Sequence, residues 1–272
     1  MTRIKVKLTF LAGVMALLVS VAKADGPSAT VSQPDASGPK SAETSLSPGD
    51  IFKKAREAYA VLTSYTDKGT TVSSLNGLTI TTTFTIKLAR PNLYRIAWVQ
   101  TNDSAYSTTT TKPQSVWSAG DGDFLDMLGQ GPKKQTNQEM ALSSATGISG
   151  GAAATIPSAF FKTQWGNQLG GAGLNEKQEA DEKVGDIDCY VFSRTLKGRT
   201  SMVWIGKQDF LIHQVRTLTT AAAMKTALDE AAKVNPTVAA HMPAFVPHDL
   251  TSTETHANIV VNPKLAPSDF AQ

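Results

Sequence analysis

Residues 78 to 98 constrain this chain more than any other stretch. Leu78, Ile80, Phe84, Ile86 and Leu88 alternate with Thr79, Thr81, Thr83, Thr85 and Lys87, and beyond Arg90-Pro91-Asn92 the alternation resumes with Tyr94, Ile96 and Trp98. A period of two marks strands with one buried face. Pro91 has no N–H to give to a ladder, so it belongs in the connection. The pair is an antiparallel hairpin with one apolar face, and such a face is stable only under a second layer.

The stretch PGDIFKKAREAYAVLTSY, from Pro48, offers part of that layer. Ile51, Ala55, Ala58, Tyr59 and Leu62 fall on one face at helical spacing, with Lys53, Lys54, Arg56 and Glu57 opposite. Downstream, PQSVWSAGDGDFLDML reads as short strands about a Gly120-Asp121-Gly122-Asp123 turn, and residues 178 to 219 as a three-stranded antiparallel meander with KGR and GKQD turns. Glu139 to Phe161 is small and apolar with Gly150-Gly151 and Pro157 as breakers, which predicts one or two short helices. AAAMKTALDEAAKV is a helical run ended by Asn235-Pro236, and a last strand is expected around His256 to Val261. Antiparallel strands with helical excursions, and no βαβ rhythm, make an α+β domain. A strongly curved antiparallel sheet with helices over its concave face buries both sets of apolar positions.

The N-terminus sets the compartment. Arg3, Lys5 and Lys7 precede an apolar run from Leu8 to Val21 and a small-x-small site at Ala22-Lys23-Ala24, so residues 1–24 read as a cleavable export signal. The run is shorter than the ~20 residues a bilayer span needs. No transmembrane segment is expected in the mature chain, and its location is expected to be periplasmic. Residues 25–49 are rich in Pro, Ser, Gly and Ala and read as a flexible leader, with a single domain over 50–272. Removing the signal takes away four basic groups and no acidic one, so 26 basic and 23 acidic residues become 22 and 23. A net charge of about −1 leaves no electrostatic footprint for nucleic acid. Cys189 is the only cysteine, so no intrachain disulfide can form.

Catalytic constellations are thin. His213, His241, His248 and His256 form no HExxH or HxH pattern and no Cys/His cluster, so no metal site and no cofactor are expected. Cys189 reads as a buried structural thiol. GDGD lacks the EF-hand spacing, GISGG at 147–151 lacks the phosphate-loop lysine, and there is no GxSxG elbow. Aromatic and aliphatic placement stands out instead. Phe84, Ile86, Leu88, Tyr94, Ile96, Trp98, Trp117, Phe160, Phe161 and Trp204 are the candidates to line an apolar cavity, with Trp165 nearby. Core packing is the commoner role for any one of them.

Several of these segments together resemble the LolA/LolB-like superfamily of periplasmic lipoprotein carriers and receptors. The resemblance rests on the helix IFKKAREAYAVLTSY, the strand end ARPNLYRI, the VWSAGDGDFL pair, the meander from VGDIDCYVFS to SMVWIGKQDFLIHQV and the closing ANIVVNPKLAPSDF. ATIPSAFF beside them is similar to a family of predicted periplasmic proteins of unassigned function in the same superfamily. The resemblance implies an unclosed β-barrel whose concave side is covered by helices, with acyl chains taken between them. Ala/Gly-rich inserts near 140–175 and 220–248 depart from the compact carrier, and no lipidated cysteine follows the signal.

The expectation is a non-catalytic carrier-like protein holding a lipid or acylated ligand in an apolar half-barrel cavity, with Arg90 and Arg95 as rim candidates for an anionic headgroup. The alternative is a cell-envelope interaction module whose cavity is filled by its own side chains and whose partner is a protein. A hydrolase would need His213 or His256 to meet a serine and a carboxylate in a cleft.

Overall fold

The computed structural model describes residues 46–104, 107–127, 129–163, 166–170, 176–234 and 246–271. The expected export signal (1–24), the expected leader up to residue 45, Trp165 and His241 lie outside them. Residues 46–49 of the expected 25–49 leader belong to the packed domain. Leu46 packs on the core, and Ser47 caps helix α1 (Pro48–Val61) by accepting a hydrogen bond from Asp50 N, with Pro48 opening the first turn.

Thirteen strands form one antiparallel sheet: β1 (Ser64–Leu75), β2 (Leu78–Ala89), β3 (Leu93–Ser104), β4 (Ser107–Thr110), β5 (Gln114–Ser118), β6 (Asp123–Asp126), β7 (Pro132–Gln135), β8 (Lys177–Gln178), β9 (Glu182–Val184), β10 (Ile187–Leu196), β11 (Arg199–Gly206), β12 (Ile212–Thr219) and β13 (Leu250–Val261). The order is β7-β6-β5-β3-β2-β1-β13-β12-β11-β10-β8, with β4 on β3 and β9 on β10. The ends do not meet, so this is an α+β open half-barrel, as the sequence led us to expect. The predicted hairpin is β2–β3, with Phe84 opposite Trp98, Ile86 opposite Ile96 and Leu88 opposite Tyr94.

Topology explains the cover. Strand β7 lies at one edge and β8 at the other, so the chain between them must cross a face of the sheet. It does so as α2 (Gln138–Thr146) and α3 (Thr155–Phe161), beside α1. The side chains of α1, α2, α3 and the inner face of the sheet form one core that includes Ile51, Phe52, Ala141, Leu142, Ile156 and Phe160. A fourth helix, α4 (Ala221–Val234), connects β12 to β13 and packs Met224 and Leu228 on Leu75, Leu78, Ile80 and Leu250.

Strand β1 was not apparent from alternation. Its inner residues are Tyr65, Asp67, Gly69, Thr71, Ser73 and Leu75, mostly polar, so the apolar rhythm that marks β2 is missing. Asn76 and Gly77, at φ 47° and 73°, turn it tightly into β2. Strand β13 begins six residues before the predicted last strand for the same reason.

Candidate functional site

The register divides the inner face into two halves. At the α1 end the cross-strand rows read Leu88–Tyr94 and Ile86–Ile96, and they are apolar apart from Asp67. Further along they read Thr71–Glu254, then Ser73–Ser252–Thr217, and finally Thr219–Arg199 beside Leu75–Leu250. The second half of the inner face, which holds none of the cavity candidates named from sequence, is thus lined largely with hydroxyls.

In the apolar half, Phe84, Ile86, Leu88, Tyr94, Ile96, Trp98 and Phe160 are all buried in one cluster, and Phe161 packs at its margin, edge-on to Tyr94 at 6.3 Å. Their space is occupied by Ile51, Phe52, Ala55 and Tyr59 of α1, and Tyr59 Oη accepts a hydrogen bond from Ile212 N at 3.1 Å. Trp117 and Trp204 do not join them. Trp117 stands opposite Arg95 on the outer face and stacks on Phe124, while Trp204 packs there with Cys189 and Val191 and donates to Glu182. Aromatic character groups them with the others in the sequence, but Val116 on one strand and Val203 and Ile205 on the other take the inward positions, so the adjacent tryptophans point the other way.

The two rim arginines also part. Arg95 lies on the outer face between Lys87 and Trp117. Arg90 turns under the helices: Nε donates to Leu62 O at 2.9 Å, and Nη2 donates to Tyr59 O at 3.2 Å and Phe160 O at 2.7 Å. Its guanidinium sits 4.5 Å from the Phe160 ring centroid. One side chain of the β2–β3 connection therefore holds the end of α1 and the end of α3 together.

Between the halves lies a buried charged cluster that sequence spacing could not reveal. His256 Nδ1 is 2.7 Å from Asp67 Oδ2, which also accepts from Tyr65 Oη at 2.9 Å. His256 Nε2 is 3.2 Å from Glu254 Oε1, an ion-pair distance whose direction misses a hydrogen bond. Glu254 Oε2 accepts from Thr155 Oγ1 at 2.7 Å. Burial by itself would lower the pKa of His256, but the charge and hydrogen bond of Asp67, joined by Glu254, outweigh it and raise the value to about 10. Burial likewise raises the phenols of Tyr59 and Tyr65.

Both imidazole nitrogens of His256 face carboxylates, the residue is 2% exposed, and the hydroxyls in the cluster, those of Tyr65 and Thr155, donate to Asp67 and Glu254. His213 pairs with Asp209 at 3.0 Å. Neither histidine is hydrogen-bonded to a serine among the described residues. The Cys189 thiol is pushed up to about 11, first by burial, and donates to Ile187 O. No group of three or more His, Cys, Asp or Glu among the described residues is placed to hold a metal ion.

The glycines at 150 and 151 have a packing role. Gly151, at φ 107°, passes so close to β13 that a Cβ would lie 2.8 Å from Glu254 Oε2, and a Cβ on Gly150 would lie 3.0 Å from Thr82 Oγ1. Beside this crossing a pocket of about 120 Å³ remains, lined by Ser73, Thr217, Ser252, Glu254 and Arg199 among others. A second groove, of about 380 Å³, runs between α1 and α3 past Lys53, Arg56 and Lys162.

No protein-family model matches this sequence, and no curated protein does. Among solved structures it is similar to the LolA superfamily protein NE2245 from Nitrosomonas europaea, at 10% identity over 84% of this chain and 99% of that one, TM-score 0.31. It is also similar to LprF from Mycobacterium bovis, at 8% identity over 80% and 94%, TM-score 0.43. A DUF1329 family protein from Desulfovibrio piger ATCC 29098 aligns at 10% identity over 83% and 98%, TM-score 0.33.

Proposed function

We propose that this chain is a non-catalytic, exported carrier-like protein that takes a lipid or acylated ligand against the apolar half of its inner face, with α1 and α3 acting as a displaceable cover. The observation that carries the reading is Arg90. A single guanidinium joins both helices to the sheet through backbone carbonyls, which water can satisfy equally well once the helices lift. Lifting them exposes Ile51, Phe52, Tyr59, Ile156 and Phe160, at about 1.5–3 kcal/mol each, or roughly 8–15 kcal/mol together. A chain of ~14 methylenes returns ~0.8 kcal/mol apiece, about 11 kcal/mol. The two are comparable, so a tail can replace the cover and still leave.

The test is native mass spectrometry with lipid extraction of protein purified from the periplasm, alongside uptake of fluorescent fatty acids by wild type and Arg90→Met. Co-purified amphiphile and faster uptake by the variant are expected. No bound amphiphile together with no uptake by either protein would sink the carrier reading.

One observation favours the second reading, an interaction module whose cavity is self-filled. The apolar half is already occupied by α1 side chains. A cross-link between α1 and the sheet that leaves capture of an envelope protein intact while abolishing nothing else would select it.

A further inference from the structure

We propose that the polar half of the inner face is a binding site for a small hydroxylated oxyanion, its carboxylate or phosphate gripped by Arg199 and its hydroxyls meeting Ser73, Thr217, Ser252 and Glu254. Arg199 is partly buried at the end of the pocket, where desolvation alone lowers its pKa, and its guanidinium makes no ion pair or hydrogen bond among the described residues. A cation withdrawn from water without a counter-charge is unfavourable, and its fork of donors matches two oxygens of one anionic group.

The rest of the pocket fits such a ligand. Arg199 is paired with Thr219, and Glu254 with Val215, four residues along the same strand, so the two charged ends stand ~13 Å apart in backbone terms. Three hydroxyl side chains form the floor between them. Glu254 is 5% exposed and lines the inner end of the pocket, with Oε1 turned to His256 and Oε2 accepting from Thr155. His256 offsets one of the two carboxylate charges it faces, Asp67 and Glu254, and the ~13 Å between strand positions weakens what remains of Glu254's repulsion of an anion held at the far end. A volume of about 120 Å³ admits a molecule of several heavy atoms but no acyl chain.

The site needs no movement of the α1–α3 cover, so it stands or falls apart from the carrier reading. Isothermal titration of the full mature chain uses glycerol 3-phosphate, glycerate and inorganic phosphate as probes, glycerol as the uncharged control, and dihexanoyl phosphatidic acid as the amphiphile. Saturable binding of the phosphate and carboxylate probes is expected, absent for glycerol and weakened at least ~10-fold in Arg199→Met. Tighter binding of phosphatidic acid than of glycerol 3-phosphate identifies a lipid headgroup as the source, and the reverse a free metabolite. Should Arg199→Met fail to fold, amide shifts of wild type on titration decide the matter. Shifts confined to the strand positions around Arg199, Thr217 and Ser252 support the site. No binding of any anion below ~10 mM, equal binding by Arg199→Met, or shifts elsewhere overturn it.

Discussion

Raising the pH from about 6.5 towards 10 should progressively destabilise the folded protein, which keeps a protonated His256 between two carboxylates. The folded protein holds a proton on His256 up to about pH 10, whereas the unfolded chain releases it near 6.5. A group with a raised folded pKa contributes its full stabilisation below the unfolded value and loses it as pH rises through the folded one. At ~1.4 kcal/mol per pH unit, the whole gap corresponds to about 5 kcal/mol, of which about 3 kcal/mol is gone by about pH 9. That is a large share of the ~5–15 kcal/mol that holds a typical domain. The buried phenols do not confuse the window. Those of Tyr59, Tyr65 and Tyr94 are raised above 10, so they remain neutral in the folded state and cost stability only above that value.

The assay is urea unfolding at several pH values between about 6 and about 9, followed by tryptophan fluorescence. Wild type should lose stability at ~1.4 kcal/mol per pH unit over the upper part of the range. The double variant Asp67→Asn with His256→Gln keeps the shapes and removes the titrating group, so its slope should be nearly flat. A wild-type profile that changes by less than ~0.5 kcal/mol across the range would refute the reasoning, because the cluster would then hold no proton that the unfolded chain gives up.

Other outcomes follow from the same geometry. Gly151→Ala should cost more than Gly77→Ala, about 2–4 against about 1 kcal/mol in denaturant melts, since both have positive φ but only Gly151 would also crowd Glu254. Arg90→Met should destabilise by about 2–4 kcal/mol, and hydrogen exchange should speed up at the ends of α1 and α3 before it does in β2 and β3. Acyl ligands should change the fluorescence of Trp98 but not of Trp117 or Trp204, which single Trp→Phe variants can assign. Cys189 should resist thiol reagents near neutral pH until the protein is unfolded, being buried and pushed up to about 11.

Local pattern carried much of this fold. Alternation located β2, β3 and the meander of β10, β11 and β12, and helical spacing located α1, because each is a statement about neighbours two to four residues apart; α4 was legible from its run of strong helix formers. The same reasoning failed wherever the buried face is polar. Strand β1 and the start of β13 carry Asp67, Thr71, Ser73, Ser252 and Glu254 inward, and no rule of apolar period can see them.

The sequence by itself therefore determined that an apolar hairpin face exists, that an amphipathic helix is available to cover it, and that catalytic motifs are sparse. Only the tertiary structure decided how that face is shared out. It turned Trp117 and Trp204 outward, drew Arg90 under the helices, and brought His256 to Asp67 across 189 residues of chain. The physical reason is that facing and pairing depend on strand register and on which edge the chain must cross to reach. These are properties of the closed network of strands and of no single segment.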